Sequence, residues 1–501
     1  MPLVFFAVFL GLVTYLMIRN FTTMTTTPLW MLWLVMMTPV LVLTLWALIN
    51  GDEPPPPVLT YGLLILCPLL YAVMVLMGAK NQQAADKAAI AKQTDTKTQP
   101  KKTTTKPLTR DEETVLQRCF PWSVYYLQDI EYRPQAMICK GKLKATPGDA
   151  YAAVQKNVET SFGDRFLVLL QEGLGGTPFF ALVPNPQAKN VDTNKPELSR
   201  LQAERIRQMN APTFRPVLAL GLAIATLLTT TYMGALFIGD IEPEALQSDP
   251  ALLQQGLAYG LSLMLILGVH ESGHYLATRY HKLKSTLPYF IPIPFFLGTF
   301  GAFIQMRSPM PNRRALFDVG VAGPLAGLVV SVPILMWGLA HSMVVPLTEE
   351  SGLFSFESVN PARSAMLLVL SKLMLGSSLS LDSALSLHPL AISGCLGLVV
   401  TALNLMPVGQ LDGGHIVHAM YGQRTAAIVS QVARLLMLAM SFVYNDYLLW
   451  AILLLFIPAA EPALNDVSEL NGLRDFVGLL ALTLLVLIIL PAPAVLQGWL
   501  F

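Results

Sequence analysis

The chain has 501 residues, 53% hydrophobic and only 13% charged, with 33 Lys and Arg against 32 Asp and Glu. Soluble domains carry about a quarter charged residues, so this composition, with a mean hydropathy of +0.53, excludes an ordinary globular protein and makes lipid the solvent for much of the chain. A net charge of +1 offers nothing about nucleic-acid partners; none is expected, and no nucleotide-binding pattern is present.

Apolar runs long enough to cross about 30 Å of hydrocarbon lie at 2–18, 28–49, 58–79, 217–238, 256–276, 315–339, 389–405 and 476–490. The stretch 425–457 holds one long span or two short ones, so the reading is a polytopic α-helical membrane protein with eight or nine spans. The first run has neither a basic n-region nor a small-residue cleavage site before Arg19, which favours a span over a signal peptide. Three spans make an N-terminal region, 1–79, followed by a basic, Thr- and Gln-rich linker, 80–110. That composition gives a flexible tether able to touch anionic lipid.

Residues 111–211 read as a small soluble α+β domain. Strands are expected at 122–132, 136–143, 166–171 and 177–183, a helix runs from Pro147 to about 161, and a polar helix follows at 197–209. A membrane-embedded domain, 212–501, completes the chain. Lys80 to Arg110 mark the linker as cytoplasmic by the positive-inside bias, whereas the loops carrying Asp52 and Glu53 and Asp240 to Asp249 lack Lys and Arg and belong outside. Arg279, Lys282, Lys284, Arg307, Arg313 and Arg314 then place the end of the 256–276 helix, and the soluble domain, on the cytoplasmic side, with 342–388 external.

The helix that begins near Gly256 contains His270, Glu271, Ser272, Gly273 and His274. At i and i+4 two imidazoles share one helix face and can grip one metal ion, and the carboxylate between them lies close enough to act on a water there. Ionisable groups in a membrane helix are costly unless they pair, face the bundle interior or bind an ion. A catalytic zinc site takes three protein ligands and leaves a position open. Asp412, in TALNLMPVGQLDGGH at the cytoplasmic end of the 389–405 span, is a carboxylate that could supply the third, although an Asp-Gly turn with Gly413 and Gly414 would also account for it. Pro407 should break the helix and let the chain unwind.

HESGH together with NLMPVGQLDGG resembles the site-2 protease family of intramembrane zinc metalloproteases, over roughly 256–421. The resemblance implies one zinc ion held by His270, His274 and Asp412, Glu271 as catalytic base, and Asn404 as a holder of the substrate backbone. It implies peptide-bond hydrolysis in or near the membrane, with transmembrane proteins as substrates and the lipid bilayer as surroundings.

Between the motifs, Pro288, Pro292 and Pro294 rule out an uninterrupted helix, and the stretch reads as extended or re-entrant backbone. The family's G-T-x-G matches Gly298, Thr299 and Gly301, implying an edge for unwound substrate, while a plain apolar loop remains the alternative. AGPLAG, with Gly323 and Gly327 at small-x-x-x-small spacing, reads as close helix packing without a catalytic role. Pro407 and Gly413 are structural candidates, and His415 is a candidate for contact with the centre.

CKGKLKATPGDAY, FGDRF and LVPNP are similar to the cyanobacterial and plastid branch, the EGY-like proteases, except that Gly141, Lys142, Leu143 and Lys144 stand where that branch shows G-N-L-R. The start of the chain, without an Arg- and Ser-rich transit segment, favours a bacterial plasma or thylakoid membrane. A proteolytically silent zinc scaffold or a transporter is the competing class, and Asp318 is the main extra intramembrane acid that could serve it. Four scattered cysteines indicate neither a disulfide framework nor a structural zinc site.

Overall fold

The computed structural model describes residues 28–51, 110–185 and 214–501, less 134–135, 174–175, 238, 240, 242, 295–296, 349–357 and 445–446, with isolated positions elsewhere. The expected spans 2–18 and 58–79, nearly all of the linker and the helix at 197–209 lie outside the described residues. The chain divides into two units, 1–105 and 106–501. In the first, α1 (Leu29–Asn50) is apolar throughout and bends by 47° near residue 36. Pro39 is the cause, because its ring collides with the carbonyl four residues back, at Val35.

The second unit opens with α2 (Arg110–Arg118), then β1 (Tyr125–Arg133), β2 (Ala136–Leu143), α3 (Pro147–Phe162), β3 (Phe166–Glu172) and β4 (Pro178–Pro184). The strands pair antiparallel in the order β1-β2-β4-β3. Thr146 caps α3 by accepting from the Asp149 N–H, with Pro147 at the first helical position, where its missing donor costs nothing. Ala150, Val154 and Val158, at i, i+4 and i+8, turn one face of α3 onto the sheet. There they meet Tyr125, Met137, Cys139, Val168, Leu170, Phe180 and Leu182, all buried in one core.

The rest of the unit is a helical bundle: α4 (Pro216–Phe237), α5 (Gln254–Tyr280), α6 (Arg313–Ala340), α7 (Ala365–Leu375), α8 (Pro389–Leu405), α9 (Asp412–Ser441), α10 (Leu448–Phe456), α11 (Gly472–Ile489) and α12 (Ala494–Leu500). Among the described residues four helices, α4, α5, α6 and α11, are long and apolar enough to cross a membrane, or five if the bent α1 is one span. α8 matches the expected 389–405 run but, at 17 residues, is shorter than those four helices, and 425–457 divides between two helices. α7 is an apolar helix inside the stretch read as an external loop.

Lipid offers no hydrophobic drive for helix association, so close backbone approach at small residues does the work. A Cβ on Gly256 of α5 would lie 2.0 Å from the Thr231 carbonyl of α4, and one on Gly338 of α6 would lie 2.2 Å from Ala391 N of α8. The proline-rich stretch after α5 is a hairpin, β5 (Tyr289–Pro292) with β6 (Thr299–Phe303). A second hairpin pairs β7 (Met343–Pro346) with β8 (Ser383–Ser386).

Candidate metal centre

α5 is unbroken through HESGH, so His270 and His274 stand one turn apart on its buried face. Their Nε2 atoms are 3.2 Å from one another, and Asp412 Oδ2 lies 3.2 Å from His274 Nε2 and 3.7 Å from His270 Nε2. Three ligand atoms around a tetrahedral zinc, with bonds of about 2.0–2.1 Å, would stand about 3.3 Å apart. The donor chemistry fits as well. His274 Nδ1 is 2.8 Å from the Val319 carbonyl, which can only accept, so in the neutral ring Nε2 carries a lone pair aimed at the other two donors. A metal cation at this point would be met by all three ligand atoms. Among the described residues this is the one group of three or more His, Cys, Asp or Glu placed to hold a metal.

Asp412 reaches the histidines because α8 ends at Leu405 and the chain turns through Met406–Leu411 before α9 starts at Asp412. The Val408 N–H bonds back to Met406 O at 2.7 Å, around Pro407. Gly413 and Gly414 are forced by this return, since Cβ atoms there would sit 1.8 Å from Leu405 O and 2.1 Å from Gly409 O. Asn404, on the last turn of α8, has Nδ2 3.2 Å from His270 Nε2. Glu271 is buried beside the pair.

The glycines of AGPLAG take a part that packing alone did not suggest. A Cβ on Gly323 would lie 2.1 Å from His274 Nε2, and one on Gly327 3.0 Å from His270 Nδ1. With Val319 they make α6 the wall on which both imidazoles rest. A glycine has no side chain to announce such a role, and only their one-turn spacing hinted at it.

The hairpin residues are placed less uniformly. Gly298 (φ +81°) packs directly on α4, where Thr229 Oγ1 donates to its carbonyl at 2.6 Å. The Thr299 hydroxyl is occupied within the hairpin, donating to Ile291 O at 3.0 Å and accepting from the Gly301 N–H. A Cβ on Gly301 (φ +98°) would meet only open space, and Phe300 beside it is exposed.

Other candidates are accounted for elsewhere. Asp318 is held by Arg474, at 2.7 and 2.8 Å, and by His281 at 2.9 Å, so it ties α6 to α11 rather than lining a path. His341 stacks on Trp337, next to His388. His415 is half-buried, with its Nδ1 atom sealed from solvent and without a hydrogen-bond partner.

Two histidines and an aspartate converging beside a buried glutamate in an apolar helical bundle give the donor set and spacing of a zinc centre. Residues 258–444 match the family described as Peptidase family M50. Over 75% of its length it is 27% identical to the probable zinc metalloprotease EGY2, chloroplastic, of Oryza sativa subsp. indica, covering 65% of that protein. Its identity to the Arabidopsis thaliana EGY2 is 28%, over 76% of this chain and 64% of the relative. For the Arabidopsis thaliana EGY1 it is 29%, over 71% and 66%. The chain thus spans a little under two thirds of the length of these relatives. No solved structure matches it.

Proposed function

We propose that the protein is an intramembrane zinc metalloprotease that hydrolyses peptide bonds within or near the transmembrane segments of other membrane proteins. The observation that carries this reading is the convergence of His270, His274 and Asp412 within 4.8 Å in a membrane bundle, with Glu271 on the same helix turn. The chemistry that zinc supplies when held there is Lewis acidity toward water and toward the scissile carbonyl. Glu271 takes the proton of the attacking water and delivers it to the leaving amine. Val319 keeps the His274 ring in its orientation through Nδ1. Asn404 and the hairpin residues Gly298, Thr299 and Gly301 hold the substrate backbone. Pro407 and Gly413 shape the return that brings Asp412 to the histidines.

A transmembrane helix has its carbonyls bound in its own hydrogen bonds. A substrate must therefore unwind before cleavage, and helix-destabilising residues near the bond favour it. The centre and the α+β domain face the cytoplasm, in a bacterial plasma or thylakoid membrane of the cyanobacterial kind. The domain plan is an N-terminal span region 1–79, a linker 80–110, the α+β domain 111–211 and the protease domain 212–501.

The test compares wild type with Glu271→Gln in detergent on a panel of single-span peptides read by mass spectrometry, with and without a zinc chelator. Cleavage inside the apolar stretch, falling about 100-fold or more in the variant and lost on chelation, is the expected result. Equal behaviour of two zinc-loaded proteins points instead to a silent scaffold.

A further inference from the structure

Between α10 and α11 three residues stitch the α+β domain to the bundle. The Leu170 N–H of β3 donates to Leu464 O at 2.7 Å, and the Asp466 N–H donates back to Leu170 O at 2.9 Å. On the opposite edge Leu464 and Asn465 donate to Met310 O and Pro311 O, at 2.8 and 3.0 Å. Asn465 thus forms isolated parallel bridges to Leu170 of β3 on one side and to Asn312, just before α6, on the other. Gln171 adds a side-chain bond, Nε2 to Ala463 O at 2.7 Å.

Asp466 is also buried, and a buried carboxylate is tolerated only when its charge is met. Arg313 Nε donates to it at 3.2 Å, and His418 Nε2 lies 2.9 and 3.1 Å from its two oxygens. Both partners lead to the metal centre. Arg313 opens α6, the helix that offers Val319 O to His274 and rests Gly323 and Gly327 on the ligand rings. His418 belongs to the first segment of α9, which starts at Asp412 and ends where Gly422 (φ +83°) breaks the helix beside the Arg313 guanidinium. The loop before α9 holds that segment at one end, and Asp466 holds it at the other. His418 Nδ1 is buried without a hydrogen-bond partner, so Asp466 makes the polar contacts of this ring.

We propose that Asp466 is a positioning residue for the metal centre, making its geometry depend on the docking of the α+β domain. The inference rests on the zinc reading above, and the experiment separates the two. The full chain in detergent is titrated with zinc against a chromophoric chelator, and its melting temperature is recorded without metal. Variants are Asp412→Ala, Asp466→Ala, Asp466→Asn, His418→Ala and Gln171→Glu.

Asp412→Ala should lose stoichiometric zinc, and Asp466→Ala should bind it about ten-fold more weakly. Asp466→Asn, which keeps an oxygen for His418, should regain most of that affinity, whereas a residue that served stability alone would move the melting temperature and leave zinc binding unchanged. Gln171→Glu, which sets a carboxylate against the Ala463 carbonyl at the domain contact, should weaken zinc in the same direction but less.

A wild type without stoichiometric zinc would overturn the zinc reading itself. Full zinc affinity in Asp466→Ala, with Asp412→Ala deficient, would overturn the positioning role alone. Full affinity in Gln171→Glu, with Asp466→Ala weakened, would overturn the dependence on docking. Should Asp466→Ala fail to fold, His418→Ala decides: wild-type affinity there sinks the proposal and a ten-fold loss upholds it.

Discussion

The α+β domain and the helical bundle are held together by opposite kinds of residue. In the domain the centre is filled by large side chains, Tyr125, Met137, Leu170 and Phe180, with Tyr125 and Phe180 edge to face at 4.9 Å. In the bundle the decisive contacts are made where side chains are missing, at Gly256, Gly323, Gly327, Gly338 and Gly413. Water drives the first arrangement, because apolar area removed from it is the main stabilising term. Lipid cannot drive the second, so the helices gain by approaching until backbones touch. The same kind of mutation should therefore act differently in the two regions.

The sharpest way to break this comparison is to add a side chain to the bundle. Gly323→Val should abolish stoichiometric zinc binding, a loss of at least about 100-fold in affinity, because its Cβ alone would overlap the His274 ring. By contrast Gly148→Ala, in the first turn of α3, meets only Ser468 Oγ at 3.9 Å, and zinc titration and melting should both stay near wild type.

Removing a side chain should have the reverse pattern. Phe180→Ala should destabilise the α+β domain by about 3–5 kcal/mol, read by denaturant unfolding. Thr146→Ala, which removes the cap that accepts from the Asp149 N–H, should cost about 1 kcal/mol in the same assay.

A pH dependence of the domain follows from its buried thiol. Burial pushes the Cys139 thiol from an ordinary 9.0 up to about 12. Between those values the unfolded chain has released a proton that the folded domain retains, so stability is fully present below pH 9.0 and falls as pH rises toward about 12. Tyr125 and Tyr151, also pushed up by burial, act in the same direction. Thermal melts of the domain should be level from about pH 7 to 8.5 and decline above it. A flat curve would mean that Cys139 is not sealed in the core.

Much of the domain was legible because its signals are local. Alternating apolar residues, Pro147 after Thr146, and turn residues between runs specify β2 at Ala136–Leu143 and α3 from Pro147 without help from the rest of the chain. The span count was less legible, since the 389–405 run makes a helix of only 17 residues, 425–457 divides between two helices, and 2–18 and 58–79 lie outside the described residues. The hairpin β5–β6 lay between two readings, because prolines exclude a helix without choosing among the extended alternatives.

For the centre itself the sequence by itself determined the pairing of His270 with His274, because i and i+4 meet on any α-helix. It also supplied the types of residue that zinc takes. That Asp412 meets them was decided by the tertiary structure, through the return at Met406–Leu411 that no short-range rule specifies. The contacts of Val319, Gly323 and Gly327, and the link from Asp466 to His418 and Arg313, were decided there too. Their partners lie tens to more than a hundred residues away, and a carbonyl or a glycine has no chemistry to show until another helix is packed against it.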